Sequence, residues 1–265
     1  MLTEGRCAMY NATIADIKDI TDGIRMFSIR PDGGKKLEYR AGQFAVLGLP
    51  ADPENPDGQW IRRAYSIVSA PGASDVEFYV VLVETGALTP RLWKLKKGDG
   101  VFMGEKAAGL VDFSGVEDTS DVLFVAAGTG IAPFISMLRG NRAGILNGMR
   151  RVSLVHGARH TYELGFKAEL EDIQRQSPYF RYYPVVSRSH EETGAEWKGH
   201  KGHVQSLISG GVLERDFGKK ITPEGFHVFL CGHARMVDEC AGLFAGMGFV
   251  KNTPQSKGNL HFDKH

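Results

Sequence analysis

Arg63-Ala64-Tyr65-Ser66 puts a forked cation, an aromatic ring and a hydroxyl within four residues, and Gly128-Thr129-Gly130-Ile131-Ala132-Pro133 puts a glycine turn directly behind an apolar run. In an extended segment side chains alternate, so Arg63 and Tyr65 share a face and Ser66 follows at the end. Such a trio can pair with a pyrophosphate, stack on an isoalloxazine ring and offer its N5 a hydrogen bond, as a flavin held without a Rossmann unit requires. The glycine turn suits another ligand. Val122–Ala126 runs into Gly128, Thr129 and Gly130, and Pro133 opens the next helix, so free amides and a helix dipole converge where the pyrophosphate of a nicotinamide dinucleotide can sit. Each motif alone has a plain alternative: an Arg/Tyr pair on a solvated barrel face, or a tight strand-to-helix connection. In this order on one chain they suit the passage of a hydride between nicotinamide and flavin.

Two further groups extend these sites. Gly86-Ala87-Leu88-Thr89-Pro90 opens a short helix with backbone amides and a hydroxyl, which is either an anion site for a second phosphate or simple capping by Thr89. Phe229-Leu230-Cys231-Gly232 ends a strand and Met236 begins a helix, so Cys231 is either a small buried hydrophobe or a neighbour of the nicotinamide carbon that carries the hydride. Cys7, Cys231 and Cys240 lack the spacings of iron–sulfur or zinc sites, and their odd number argues against a disulfide framework. His156 and His160 straddle a strand end, and His200 and His203 lie in a Gly/Lys-rich loop, so no metal site is expected.

The elements that must position these groups change rhythm along the chain. Up to about Met103, short β-branched and aromatic segments (Tyr10–Ile17, Arg25–Ile29, Phe44–Leu49, Ala64–Val68, Val76–Leu82) predict a small antiparallel β-barrel, interrupted by a short helix within Leu88–Lys97. After about Ser114, apolar runs alternate with amphipathic stretches: Val122–Ala126 then Pro133–Arg139, Val152–His156 then Leu164–Gln176, Arg181–Ser187 then Val204–Ser209, Val228–Cys231 then Met236–Met247. That alternation predicts a Rossmann-like α/β domain with a parallel sheet covered on both faces. The expected domains are 1–114 and 115–265, each long enough for its own core.

The 32 basic and 31 acidic residues leave a net charge of +1, so neither nucleic acid nor an anionic membrane is an expected partner. The first residues, Met1-Leu2-Thr3-Glu4-Gly5-Arg6-Cys7, show no apolar leader, and no run approaches a membrane span; a cytoplasmic protein is expected.

With these residues in view, the chain resembles the ferredoxin–NADP⁺ reductases, the bacterial flavodoxin/ferredoxin branch in particular. The resemblance rests on RAYS at 63–66, GALTPRL at 86–92, EKAAG at 105–109, AAGTGIAPFISML at 126–138, VHGAR at 155–159, VVSR at 185–188 and LCGHARM at 230–236, and covers nearly the whole chain. It implies an FAD-binding barrel, then an NADP-binding parallel sheet, with electrons passing between NADPH and a one-electron carrier, ferredoxin or flavodoxin, through FAD. By motif match Arg63, Tyr65, Ser66 and Thr89 look like FAD contacts, Gly128, Thr129 and Gly130 like pyrophosphate contacts, and Arg159 and Arg188 like anchors for the 2′-phosphate. The chain departs from the bacterial pattern at Gly202-His203, where an arginine often follows the glycine; the plant-type Lys-x-Tyr at that point implies that His203 stacks on adenine while Lys201 meets the phosphate. It also closes on Phe262-Asp263-Lys264-His265 where members commonly carry an aromatic near the flavin.

Tyr65 and Ser66 at the flavin and Cys231 at the nicotinamide are the expected participants at the reacting centre, and no acid–base dyad is required. Two rivals stand beside this reading. An NADH-dependent reductase feeding an oxygenase or haem protein would carry an acidic residue for the ribose after Val152–His156, where Gly157-Ala158-Arg159 stands. An electron-transfer subunit of a larger complex usually brings cluster-ligating cysteines, absent here. Lys94, Lys96, Lys97, Arg150 and Arg151 are candidate docking cations for an acidic carrier.

Overall fold

The computed structural model describes residues 9–191 and 196–264; Cys7 and His265 lie outside them. The chain divides into two compact units. One comprises the residues up to Asp112 together with Ile135–Gly140, the other Phe113–Phe134 and the residues from Asn141 onward.

In the first unit, β1 (Ala12–Thr21), β2 (Ile24–Pro31), β3 (Phe44–Pro50), β4 (Trp60–Ser66), β5 (Val76–Val81) and β6 (Gly100–Met103) pair antiparallel in the order β4-β3-β6-β1-β2-β5, with the short helix α1 (Thr89–Leu92) between β5 and β6. A bridge between Ile67 and Phe78 joins the two ends of that order, which curls the sheet into a barrel. Alternate residues face inward, and Ile14, Phe27, Ile29, Leu47, Ile67 and Phe78 are fully buried in its core.

In the second unit, β7 (Asp121–Ala127), β8 (Val152–Ala158), β9 (Phe180–Val186), β10 (His200–Lys201), β11 (Phe226–Gly232) and β12 (Leu260–Lys264) form a wholly parallel sheet in the order β10-β9-β8-β7-β11-β12. Strands covered on both faces must be apolar along their length, and Val122, Leu123, Phe124, Val125 and Ala126 are all buried. The connections carry α2 (Ala132–Gly140), α3 (Arg142–Leu146), α4 (Lys167–Gln176), α5 (Val204–Ser209), α6 (Val212–Phe217) and α7 (Ala234–Gly246). Leu207 of α5 and Val237 and Phe244 of α7 pack on Leu123, Val125 and Val155.

The two expected architectures, a barrel then a parallel-sheet α/β unit, are present, with different element ends. Strand β4 begins at Trp60 rather than Ala64. Helix α4 begins at Lys167 rather than Leu164, because Phe166 takes a left-handed backbone (φ 62°) that stops the helix from extending backward. Strand β12 and helices α3 and α6 have no counterpart in the sequence reading. Among the described residues no helix is long and apolar enough to cross a membrane.

Candidate functional site

Strand β4 lies at one end of the barrel order and, among the described residues, pairs along its length with β3, in the register Leu47 with Arg63, Ala45 with Tyr65 and Phe44 with Ser66. Arg62 folds its guanidinium over the Phe102 ring at 4.3 Å. Arg63 is exposed, donates through Nη1 to the Arg62 carbonyl at 2.7 Å, and has no carboxylate partner among the described residues. Tyr65 rests half-buried against the barrel core. Burial pushes its phenol up to about 12, against the opposing pull of the Arg63 charge. Ser66, also half-buried, closes the strand.

The Gly86–Thr89 loop is held from inside. The buried Thr89 hydroxyl accepts from the Val83 N–H and donates to the Val83 carbonyl, both at 3.0 Å, so it closes the loop instead of capping α1. A Cβ on Gly86 would stand 2.9 Å from the Val83 oxygen. What this loop offers an anion is therefore backbone. The barrel's cavity of about 570 Å³ is elsewhere, at Asn11, Lys35, Leu37 and Met103, and none of Arg63, Tyr65, Ser66, Gly86 or Thr89 lines it.

In the second unit the expected coenzyme residues gather at the C-terminal ends of the parallel strands. Gly128 takes φ 56°, and a Cβ on Gly130 would lie 2.2 Å from the Cys231 carbonyl oxygen. Gly232, at φ 145°, stands likewise against the Ala127 carbonyl. The turn after β7 and the end of β11 thus interlock through two glycines, which brings Gly128, Thr129 and Gly130 beside Cys231. Cys231 is 0% exposed and burial pushes its thiol far up, so it is a neutral group there; Cys240 rises for the same reason to about 12.

Three loops are stitched together beyond β8, β9 and β10. Ala158 pairs with Val186, and Val186 with Lys201. Past these pairs the Ser187 N–H donates to the Ala158 carbonyl at 3.0 Å, the Arg188 N–H to the Arg159 carbonyl at 2.9 Å, and the Gly202 N–H to the Val186 carbonyl at 3.0 Å. Arg159 is exposed, Arg188 stands 3.6 Å from Glu191, and Lys201 stands 3.2 Å from Glu196. His203 follows, and with Gln205, His233, Arg235, Met236 and Glu239 it lines a cavity of about 250 Å³ between the starts of α5 and α7. Glu239 accepts from Arg235 Nε at 2.8 Å and from Gln205 Nε2 at 2.6 Å. Gln205, His233, Arg235 and Glu239 were not singled out from sequence; His233 and Arg235 stand in the LCGHARM segment, whereas Gln205 and Glu239 stand outside every motif quoted above.

His156 is fully buried in β8, its Nδ1 3.2 Å from the Tyr182 hydroxyl, and burial holds the ring neutral with a pKa down to about 4, beside the Gly128 backbone. Arg150 is no docking cation: it is 4% exposed, lies over the Phe113 ring at 4.6 Å and donates to Asp118 at 2.6 Å. Among the described residues no three His, Cys, Asp or Glu side chains group as metal ligands.

A barrel followed by a parallel sheet with a glycine turn at its strand ends defines a two-domain oxidoreductase, and residues 124–241 match the oxidoreductase NAD-binding domain family. The flavodoxin/ferredoxin–NADP reductase of Shigella flexneri is 37% identical over 202 residues, 76% of this chain and 77% of that protein. The ferredoxin–NADP reductase of Azotobacter vinelandii is 30% identical over 239 residues, 87% of each. The crystal structure of a ferredoxin NADP⁺ reductase from Neisseria gonorrhoeae with bound FAD and NADP matches with a TM-score of 0.82 at 26% identity, covering 97% of this chain and 99% of that one. The chain belongs to the flavodoxin/ferredoxin–NADP reductase family.

Proposed function

We propose that this chain is a cytoplasmic flavoprotein that moves electrons between NADPH and a one-electron carrier, ferredoxin or flavodoxin, with FAD held by residues 1–114 and NADP by residues 115–265. Bound FAD supplies the conversion between a two-electron hydride and single electrons. The residues present suit both groups. Arg63, unpaired with any described carboxylate, is available for the flavin pyrophosphate, the Gly86–Thr89 backbone for its second phosphate, Tyr65 for the ring face and Ser66 for the reacting edge. Gly128, Thr129 and Gly130 form a turn too tight for a Cβ at Gly130, with the buried, neutral Cys231 beside it. Arg159, Arg188 and Lys201 hold the 2′-phosphate, with His203 against the adenine.

The observation that carries the preference for NADPH is the stitched set of loops. It puts Arg159 and Arg188 on adjacent strand ends, and in sequence Arg159 follows the strand after which an NADH-specific site would carry a carboxylate. The test is direct. The purified chain should be yellow, bleach under anaerobic NADPH, and then reduce ferredoxin or flavodoxin; a colourless chain, or one reduced equally well by NADH, would defeat the reading.

A further inference from the structure

His156 lies beneath the glycine turn that follows β7. It pairs in register with Ala126, two residues before Gly128, on the sheet face where Phe124 stacks on Phe134 of α2 at 4.5 Å. The ring is fully buried, with Nδ1 3.2 Å from the Tyr182 hydroxyl and Nε2 without a partner among the described residues. Burial keeps it neutral, while the Gly128 carbonyl beside it pulls the other way, favouring a proton, without completing a hydrogen bond. A neutral imidazole has one N–H and one lone pair, and a carbonyl only accepts. The proton therefore belongs on Nε2, facing Gly128, and Nδ1 accepts from the Tyr182 O–H. Gly128 is the adjustable end of the turn: at φ 56° it has open space where a Cβ would stand, whereas Gly130 is wedged against the Cys231 carbonyl.

The carbonyl and the N–H of one planar trans peptide point in opposite directions. Drawing the Gly128 carbonyl onto Nε2–H therefore turns the Thr129 N–H away from the buried ring. We propose that His156, oriented by Tyr182, is a positioning residue for the dinucleotide pyrophosphate: its Nε2–H holds the Gly128 carbonyl and so presents the Thr129 N–H to the phosphate oxygens. This rests on the reading of the second unit as the NADP site and adds what aims the amides of its turn. The ring, being fully buried, acts through that peptide and not by touching the coenzyme.

The experiment uses the FAD-loaded enzyme and two inhibitors that compete with NADPH: 2′-phospho-ADP-ribose, which carries the pyrophosphate, and 2′-AMP, which lacks it. In His156→Phe, which keeps a buried ring without the N–H, the inhibition constant of the first should rise about tenfold and that of the second stay within about twofold. His156→Gln, whose amide can place an N–H near the position of Nε2, should recover most of that loss. Tyr182→Phe should shift the pyrophosphate ligand alone, by about threefold. A shift of both inhibitors together, or of neither, in folded His156→Phe would overturn the proposal, as would a Gln variant no better than Phe. If His156→Phe does not fold, Tyr182→Phe decides by the same criterion. If neither inhibitor acts on the native chain, the NADP reading fails instead, and the two failures are distinct.

Discussion

Arg62 and Arg63 are neighbours with different work. Arg62 covers Phe102, whereas Arg63 reaches only a backbone carbonyl of its own strand. Arg63→Ala should therefore weaken FAD retention by about tenfold to a hundredfold, the usual size of a lost charge-assisted contact to phosphate, read as flavin released on dilution. Arg62→Ala should keep its FAD and lose only some thermal stability. Ser66→Ala should retain FAD but slow flavin reduction at saturating NADPH in a stopped-flow trace; an unchanged rate removes Ser66 from the reacting centre. That Arg63, Tyr65 and Ser66 share one strand was legible because they are contiguous, and one strand's alternation is enough to relate them. Gln205 and Glu239 are 34 positions apart and become partners only where α5 lies beside α7, so no local pattern announced them.

The glycine turn is constrained by a neighbouring strand as well as by its own backbone. Gly130→Ala would drive a methyl into the Cys231 carbonyl, a clash that repacking cannot relieve cheaply; a loss on the order of 3 kcal/mol is expected in urea unfolding, together with weakened NADPH binding. The buried His156 makes the second unit acid-sensitive. Its folded pKa of about 4 lies below the ordinary 6.5, so the unfolded chain takes up the proton first as pH falls, and stability present above about 6.5 drains away towards 4. Unfolding midpoints measured at stepped pH should fall across that window, by up to about 3 kcal/mol in total, and less steeply in His156→Asn. His227, lowered mainly by burial, adds to the same slope. Strands such as β7 and β8 were readable as unbroken apolar runs because both their faces are covered. Strand β12, Leu-His-Phe-Asp-Lys, mixes polar residues into an edge position, and the two-residue β10 is too short for any period.

The coenzyme choice proposed above belongs to the molecule as a whole, because Arg159 and Arg188 follow separate strands, and their backbones meet only where the ends of β8 and β9 lie side by side in the finished sheet. Losing either should raise the KM for NADPH about tenfold or more and leave NADH nearly untouched. An Arg188→Ala chain that handles both coenzymes equally poorly would refute that division of labour. Helix α2 sets a different limit. It starts in one compact unit, while its last six residues, Ile135–Gly140, count with the other. There Ser136 donates to the Ser69 carbonyl at 2.7 Å, Arg139 pairs with Glu77 at 2.7 Å, and a Cβ on Gly140 would meet Ala41 at 3.2 Å. For anyone recombining this gene with a relative, a single crossover near codon 114 would import a foreign helix end against a native barrel. Working chimeras should be those that carry Ala41, Ser69 and Glu77 across together with the helix.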